Sequence, residues 1–159
     1  MNGKKIVENF IRDNINNAYR FAFTYMKNSY DAEDVVSESV IKALKAADSI
    51  KDAESVKPWF FKIVSNTAIT NIKKKNKVVP FESMENENSY EQSYNISNLN
   101  EMIEKLPKEY MEIIVLRYFE DMKIKDISKV LDVNENTVKT RLYKALKMLK
   151  EDMEEDYEQ

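Results

Sequence analysis

The side chains able to do chemistry in this 159-residue chain are carboxylates, lysines, tyrosines and hydroxyls, because it contains neither Cys nor His. That absence excludes zinc fingers, disulfide scaffolds, thiol nucleophiles and every His-based triad. Gly3 is the only glycine, which excludes Gly-rich phosphate loops. Asp31, Glu33, Asp34 and Glu38 form one acidic cluster. Such acids could hold a metal for nucleic-acid hydrolysis, but Asp31 and Glu33 point away from each other on a helix. No distant acidic motif completes the set, so neither a metal site nor a cofactor is expected. Polyanion binding is better supplied. Lys57 to Lys77 carries six Lys and no acid, and Asn136 to Lys150 carries Lys139, Arg141, Lys144, Lys147 and Lys150 and no acid. A polyphosphate partner requires basic stretches of this kind. One such run alone is also the pattern of a solvated lysine face.

The elements that must position these residues are helical. Length allows one ordinary domain or two small ones, and 43% hydrophobic residues suffice for a core. One Gly and three Pro argue against a turn-rich β-sandwich or barrel. The formal net charge of −3 conceals blocks: +5 over 1–77, −4 over 78–100, +2 over 101–150 and −6 over 151–159. Met1 to Phe10 lacks a signal-peptide apolar stretch, and no apolar run approaches the roughly 18 residues of a membrane span. A soluble, cytoplasmic protein without membrane insertion is expected. The 78–100 stretch is rich in Asn, Ser, Glu and Gln, which reads as a flexible linker between two small all-α domains. The acidic tail 151–159 reads as solvated and frayed; the sharper reading has it screen the basic helix.

In the first half, Val7, Phe10, Ile11, Ala18, Ala22, Phe23 and Met26 recur at helical spacing. Ser29 to Asp34 is a helix start in which Asp31 can cap, followed by the apolar stripe Val36, Val40, Ala43, Leu44 and Ala47. A loop over 48–55 leads to a third helix, with Pro58 in its first turn and Trp59, Ile63, Asn66 and Thr70 on one side. In the second half, a helix beginning at Leu106-Pro107 has Ile113, Ile114, Leu116 and Phe119 as its apolar side. A short helix Ile124 to Leu131, the turn Asp132-Val133-Asn134 and a long helix from Glu135 complete a helix-turn-helix. Asn134 can cap that last helix, and Asp132 tolerates the left-handed conformation that the turn demands. Val138, Leu142, Ala145, Leu146 and Leu149 face one way. Asn136, Thr137, Lys139, Thr140, Tyr143 and Lys144 lie on the turns that could enter a DNA major groove, with Arg141 among them.

At these residues the chain resembles a known family. Ile124 to Leu131, then Asp132 to Leu142, is similar to the last region of extracytoplasmic-function sigma factors, with Leu106-Pro107 and Val115 to Phe119 as the start of the same domain. Tyr19 to Ala22 and Asp31 to Glu38 resemble the family's segment that docks on the RNA polymerase clamp. Trp59 to Ile69 resembles its segment for melting and reading the minus-10 element. The likeness runs from about residue 10 to about residue 150. It implies core RNA polymerase and promoter DNA as partners and leaves room for an anti-sigma protein. It implies docking by Asp34, Ser37 and Glu38, Ser37 standing where the family usually has Gln. It implies minus-10 contacts from Trp59, Lys62, Asn66, Lys73, Lys74 and Lys75, with Asn66 holding a flipped base. Thr70 replaces a commonly acidic residue. Around minus-35 it implies Arg117 on a phosphate and Asn136, Thr137, Lys139, Thr140, Arg141, Tyr143 and Lys144 on the groove.

Two other readings stand beside it. A stand-alone helix-turn-helix regulator would use the same second half. It would need neither a docking helix nor the Trp59–Asn66 helix, and would need a dimer interface. A carboxylate-metal nuclease would use the acids of 31–38. The sigma reading makes the protein a non-catalytic binding subunit, with two weak DNA readers multiplied by their tether.

Overall fold

A computed structural model describes residues 2–77 and 98–158. Helix α1, Gly3–Met26, starts under an Asn2 cap whose side chain accepts a hydrogen bond from the Lys5 N–H at 2.9 Å. It departs from helical geometry at Asn14 (φ −124°, ψ 16°), where Asn14 Nδ2 donates to the Phe10 carbonyl at 2.9 Å. It ends at Lys27, left-handed at φ 67°, whose N–H bonds back to the Phe23 carbonyl. Helix α2, Ser29–Lys45, is capped by Asn28 and not by Asp31: Asn28 Oδ1 accepts from the Asp31 N–H at 2.8 Å. Both residues have an acceptor side chain of the right length. The sharp reversal at Lys27 brings the helix start forward, so Asp31 falls inside the first turn. Two short 3₁₀ turns, Ala47–Ser49 and Ala53–Ser55, stand where the 48–55 loop was expected and lead into α3, Val56–Lys77.

Helices α1, α2 and α3 pack mutually into a three-helix unit. Phe21, Phe60 and Phe61 are fully buried at its centre, with Phe21 and Phe61 ring centroids 5.4 Å apart and Phe60 edge-on to Phe61 at 6.2 Å. Burying each such ring stabilises the unit by about 1.5–3 kcal/mol. Ala18, Ala22, Ala32, Ala43 and Ala68 are buried with almost no exposure, which lets the three backbones approach closely. The Tyr25 hydroxyl meets Ser65 Oγ at 3.0 Å, so the polar atoms taken into this core have partners. The buried face of α2 is Ala32, Val35, Val36, Ser39 and Ala43, rotated from the expected stripe, and Leu44 is exposed. Gly3 is required by close approach: a Cβ there would lie 2.2 Å from the Ala47 carbonyl oxygen and 2.8 Å from that of Ile50. Those are backbone atoms held by the 3₁₀ turn, and they cannot yield as a flexible side chain would.

The second unit carries α4, Asn98–Lys105, and α5, Lys108–Ile114. Helix α4 begins inside the 78–100 range read as linker; 78–97 lie outside the described residues. Leu106 is buried, and the Pro107 carbonyl accepts the N–H groups of Tyr110 and Met111, so the helix starts at Lys108. A π-helical turn, Val115–Phe119, continues it, with the Glu120 N–H reaching the Val115 carbonyl at 3.0 Å. The wider turn changes the helical phase. Ile113, Ile114 and Leu116 are buried as expected, but Phe119 is 41% exposed. Helix α6, Ile124–Leu131, and α7, Glu135–Glu158, follow. Helix α5 packs on α7, and α4 adds a smaller contact with it. Val138, Ala145 and Leu149 are the buried side of α7, whereas Leu146 is exposed. The last helix does not stop near Lys150: the 151–158 segment is helical, against the expectation of a frayed tail.

Candidate nucleic-acid interface

The turn between α6 and α7 sets the direction of the candidate reading helix. Asp132 is left-handed at φ 60°, and the Val133 N–H closes the turn onto the Ser128 carbonyl at 3.3 Å. Ser128 Oγ donates to the Val133 carbonyl at 2.5 Å, a second tie across the same corner. Asn134 Oδ1 then accepts the Thr137 N–H at 2.8 Å, the expected cap. Val138, fully buried, anchors the first turns. Asn136, Lys139, Thr140, Tyr143 and Lys144 are exposed, and Thr137 and Arg141 are half-buried. A rigid helix therefore offers amide, hydroxyl, ammonium and aromatic groups to solvent along one side. These groups can donate to guanine acceptors and phosphates or pair with adenine.

Beside that helix, a polar cleft of about 380 Å³ separates it from the start of α5. Arg141 and Lys144 line it from α7, and Glu109 and Tyr110 from α5. Neither Glu109 nor Tyr110 was singled out in the sequence, since only the packing of α5 on α7 places them there. Arg117, expected on a phosphate, is half-buried: one guanidinium nitrogen donates to the Met122 carbonyl at 3.0 Å, and its carbon lies 5.9 Å from the Tyr118 ring centroid. In this conformation it braces the 120–123 loop that leads into α6.

In the three-helix unit, Asn66 and Thr70 are exposed on α3, and Trp59, Lys62 and Ile63 are half-buried. Lys73, Lys74 and Lys75 are exposed on the last turns of the same helix. Lys75 is ion-paired with Asp31, which joins the end of α3 to the start of α2. Partial burial pushes the Asp31 carboxyl up, but the hydrogen bonds from Lys75 and Asn28 and the Lys75 charge outweigh it and hold the group below its ordinary range. Asp34, Ser37 and Glu38 are exposed on α2, away from the core face. Asn71 Nδ2 reaches Glu38 Oε2 at 3.5 Å, and Lys42 Nζ donates to Thr67 Oγ1 at 3.0 Å. Tyr30 and Ile41, 80% and 54% accessible, are exposed apolar residues of the same outer side, as is Leu44. Their spacing with Asp34 and Ser37 (i, i+4, i+7, i+11) was legible as one helical face and was missed. Among the described residues, no group of His, Cys, Asp or Glu side chains is arranged to hold a metal ion.

Comparison with known proteins decides the family. Residues 10–78 match the model of sigma-70 region 2, and residues 96–149 match that of sigma-70, region 4. RNA polymerase sigma factor SigV of Bacillus subtilis is 39% identical over 150 residues, 92% of this chain and 90% of that protein. ECF RNA polymerase sigma factor SigW of the same organism is 26% identical, over 85% of this chain and 82% of SigW. The chain belongs to the extracytoplasmic-function sigma factors of bacterial RNA polymerase. As a sigma factor it serves promoter recognition and transcription initiation together with core polymerase. The stand-alone regulator is not favoured, since the region 2 match lies over the half which that reading leaves without a role. The sigma fold is also seen in solved structures. RpoE of Bartonella quintana, determined with the anti-sigma factor NepR, has a TM-score of 0.73 at 20% identity, covering 91% of this chain and 96% of RpoE. CnrH, determined with the cytosolic domain of CnrY, has a TM-score of 0.68 at 17% identity, covering 94% and 88%. No helix of this sigma factor is long and apolar enough, among the described residues, to cross a membrane.

Proposed function

We propose that this sigma factor divides promoter recognition between its two units, 1–77 and 101–150, and joins core polymerase through α2. Asp34, Ser37 and Glu38 meet a basic surface of the polymerase clamp, and their exposure opposite the packed face of α2 supports that role. Trp59, Lys62, Asn66, Lys73, Lys74 and Lys75 serve the minus-10 element. Asn66 supplies the polar group for a base taken out of the stack, and the lysines meet phosphates. Asn136, Thr137, Lys139, Thr140, Arg141, Tyr143 and Lys144 serve the minus-35 element. Arg117 reaches a phosphate after exchanging its Met122 contact. The protein is a binding subunit without catalysis of its own and acts in the cytoplasm. An anti-sigma protein is included as a partner, since both solved neighbours carry one or a comparable partner chain and Tyr30 and Ile41 stay accessible here.

The observation carrying this reading is the capped, buried-side-anchored start of α7, which holds its polar side rigid and open. Two substitutions test the division of labour in holoenzyme on promoter DNA. Lys139→Ala is expected to reduce protection of the minus-35 element, lowering affinity about tenfold. Asn66→Ala is expected to leave that protection intact while reducing permanganate reactivity of the melted minus-10 bases. Identical footprints and identical reactivity in both variants would contradict the assignment.

A further inference from the structure

We propose that the cleft between α5 and α7 seats one backbone phosphate of the DNA strand flanking the reading helix. Arg141 and the Tyr110 hydroxyl are its donors, and Glu109 is an opposing charge that keeps the contact weak. The inference rests on the reading of α7 as the minus-35 helix and adds two residues of α5 to it.

The cleft's charge and its place beside α7 point to the ligand. Its volume of about 380 Å³ is that of about a dozen waters, room for a hydrated phosphodiester. Every lining residue carries a polar group, two of them cationic, which suits an anion. Tyr110 and Arg141 are half-buried, so packing fixes their stems and aims their polar ends. Arg141 and Lys144 bring two positive charges and Glu109 one negative, leaving an excess that suits a single monoanion. The cleft also adjoins Thr137 and Thr140, on the turns of α7 that would enter the groove, so a backbone following the groove edge passes across it.

Glu109 is then the informative residue. A carboxylate beside a phosphate lowers affinity for every DNA sequence equally, because the backbone carries no sequence information. An equal loss leaves the ratio of specific to non-specific binding unchanged and shortens every stay on DNA, promoter and non-promoter alike. The acid thus restrains the second unit from holding any DNA for long.

The test uses holoenzyme assembled from the full chain and core RNA polymerase. Fluorescence anisotropy is read on a promoter fragment recovered by run-off transcription and on the same fragment with its minus-35 element scrambled. Glu109→Gln is expected to tighten binding to both fragments about three- to tenfold, the effect of removing one repulsive charge at about 6 Å from the phosphate in a high-dielectric setting. It is also expected to steepen the salt dependence by up to about one in slope. Tyr110→Phe keeps the ring and is expected to weaken both fragments about tenfold, by loss of one hydrogen bond to a charged group. Lys139→Ala, in parallel, is expected to remove the preference for the intact fragment. Loss of that preference with no change in Glu109→Gln and Tyr110→Phe overturns the phosphate site and leaves the minus-35 reading standing. A Glu109→Gln effect confined to one base pair also overturns it, because that is the behaviour of a base reader. Unchanged binding in all three variants sinks the minus-35 reading itself.

Discussion

Asp31 serves folding, whereas the recognition role proposed for α2 falls to Asp34, Ser37 and Glu38. It is tied to Lys75 and Asn28, which joins the first turn of α2 to the last turns of α3. Its folded pKa lies below the ordinary 3.8, so its contribution to stability is fully present above that value and is lost as pH falls through the depressed one. Asp31→Asn is therefore expected to lower the melting temperature at neutral pH by a salt-sensitive amount. The gap to the parent chain should close as pH drops below the carboxylate range. A gap that persists unchanged in strong acid would mean that packing, and not charge, sets the effect. Lys75 has a second claim on it, since the proposed minus-10 contact requires it to exchange Asp31 for a phosphate. At this scale the sequence was legible where one residue type has one use in a turn: Asn134 as cap and Asp132 as left-handed corner stand as expected. It was illegible where two candidates compete, as with Asn28 and Asp31. It was illegible again for Glu109 and Tyr110, whose neighbours are more than twenty positions away in the chain.

Among the elements, α2 has a packed face and an exposed face, and the proposed polymerase docking uses the exposed one. Its packed side is Ala32, Val35, Val36, Ser39 and Ala43, and its outer side carries Tyr30, Asp34, Ser37, Glu38 and Ile41. The neighbouring Tyr19 to Ala22 segment resembled a polymerase-docking motif, yet Phe21 has no exposure at all and contacts Phe61. Phe21→Ala is therefore expected to cost about 3–5 kcal/mol of stability. Asp34→Lys combined with Glu38→Lys is expected to leave the thermal transition nearly unmoved and to weaken core polymerase binding by at least about tenfold. Calorimetry and a pull-down with core enzyme separate the two outcomes; a double charge reversal that still binds core normally would remove α2 from the docking surface. The existence of α1, α2, α3, α5, α6 and α7 was readable from the 3.6-residue apolar period, but α4 was not, since its start lies in the polar stretch read as linker. The phase was not readable for α2, where Ser39 and the alanines face inward without a hydrophobic signal. It was not readable after Val115 either, since a π-turn leaves no mark in the sequence and rotates Phe119 outward. The acidic 151–158 segment misled for a related reason: acids oppose the negative helix end, yet the segment remains helical as the continuation of α7.

For the whole molecule, the distribution of charge matters more than its sum. A net of −3 gives no hint of DNA, but α3 and residues 136–150 carry bases without acids while 78–100 and 151–159 carry acids without bases. Each proposed reader is the side of a single helix. Two weak readers joined in one chain gain affinity multiplicatively only when both can engage at once. In our proposal core polymerase brings both to the promoter at once, so selectivity belongs to the assembly. The most direct measurement is run-off transcription over a genomic fragment library, with core enzyme alone, with the purified chain alone, and with both together. We expect discrete start sites only in the combined reaction, and their loss on Asp34→Lys with Glu38→Lys. Start sites indistinguishable from those of core enzyme alone would contradict the central claim that this chain selects promoters by riding on the polymerase.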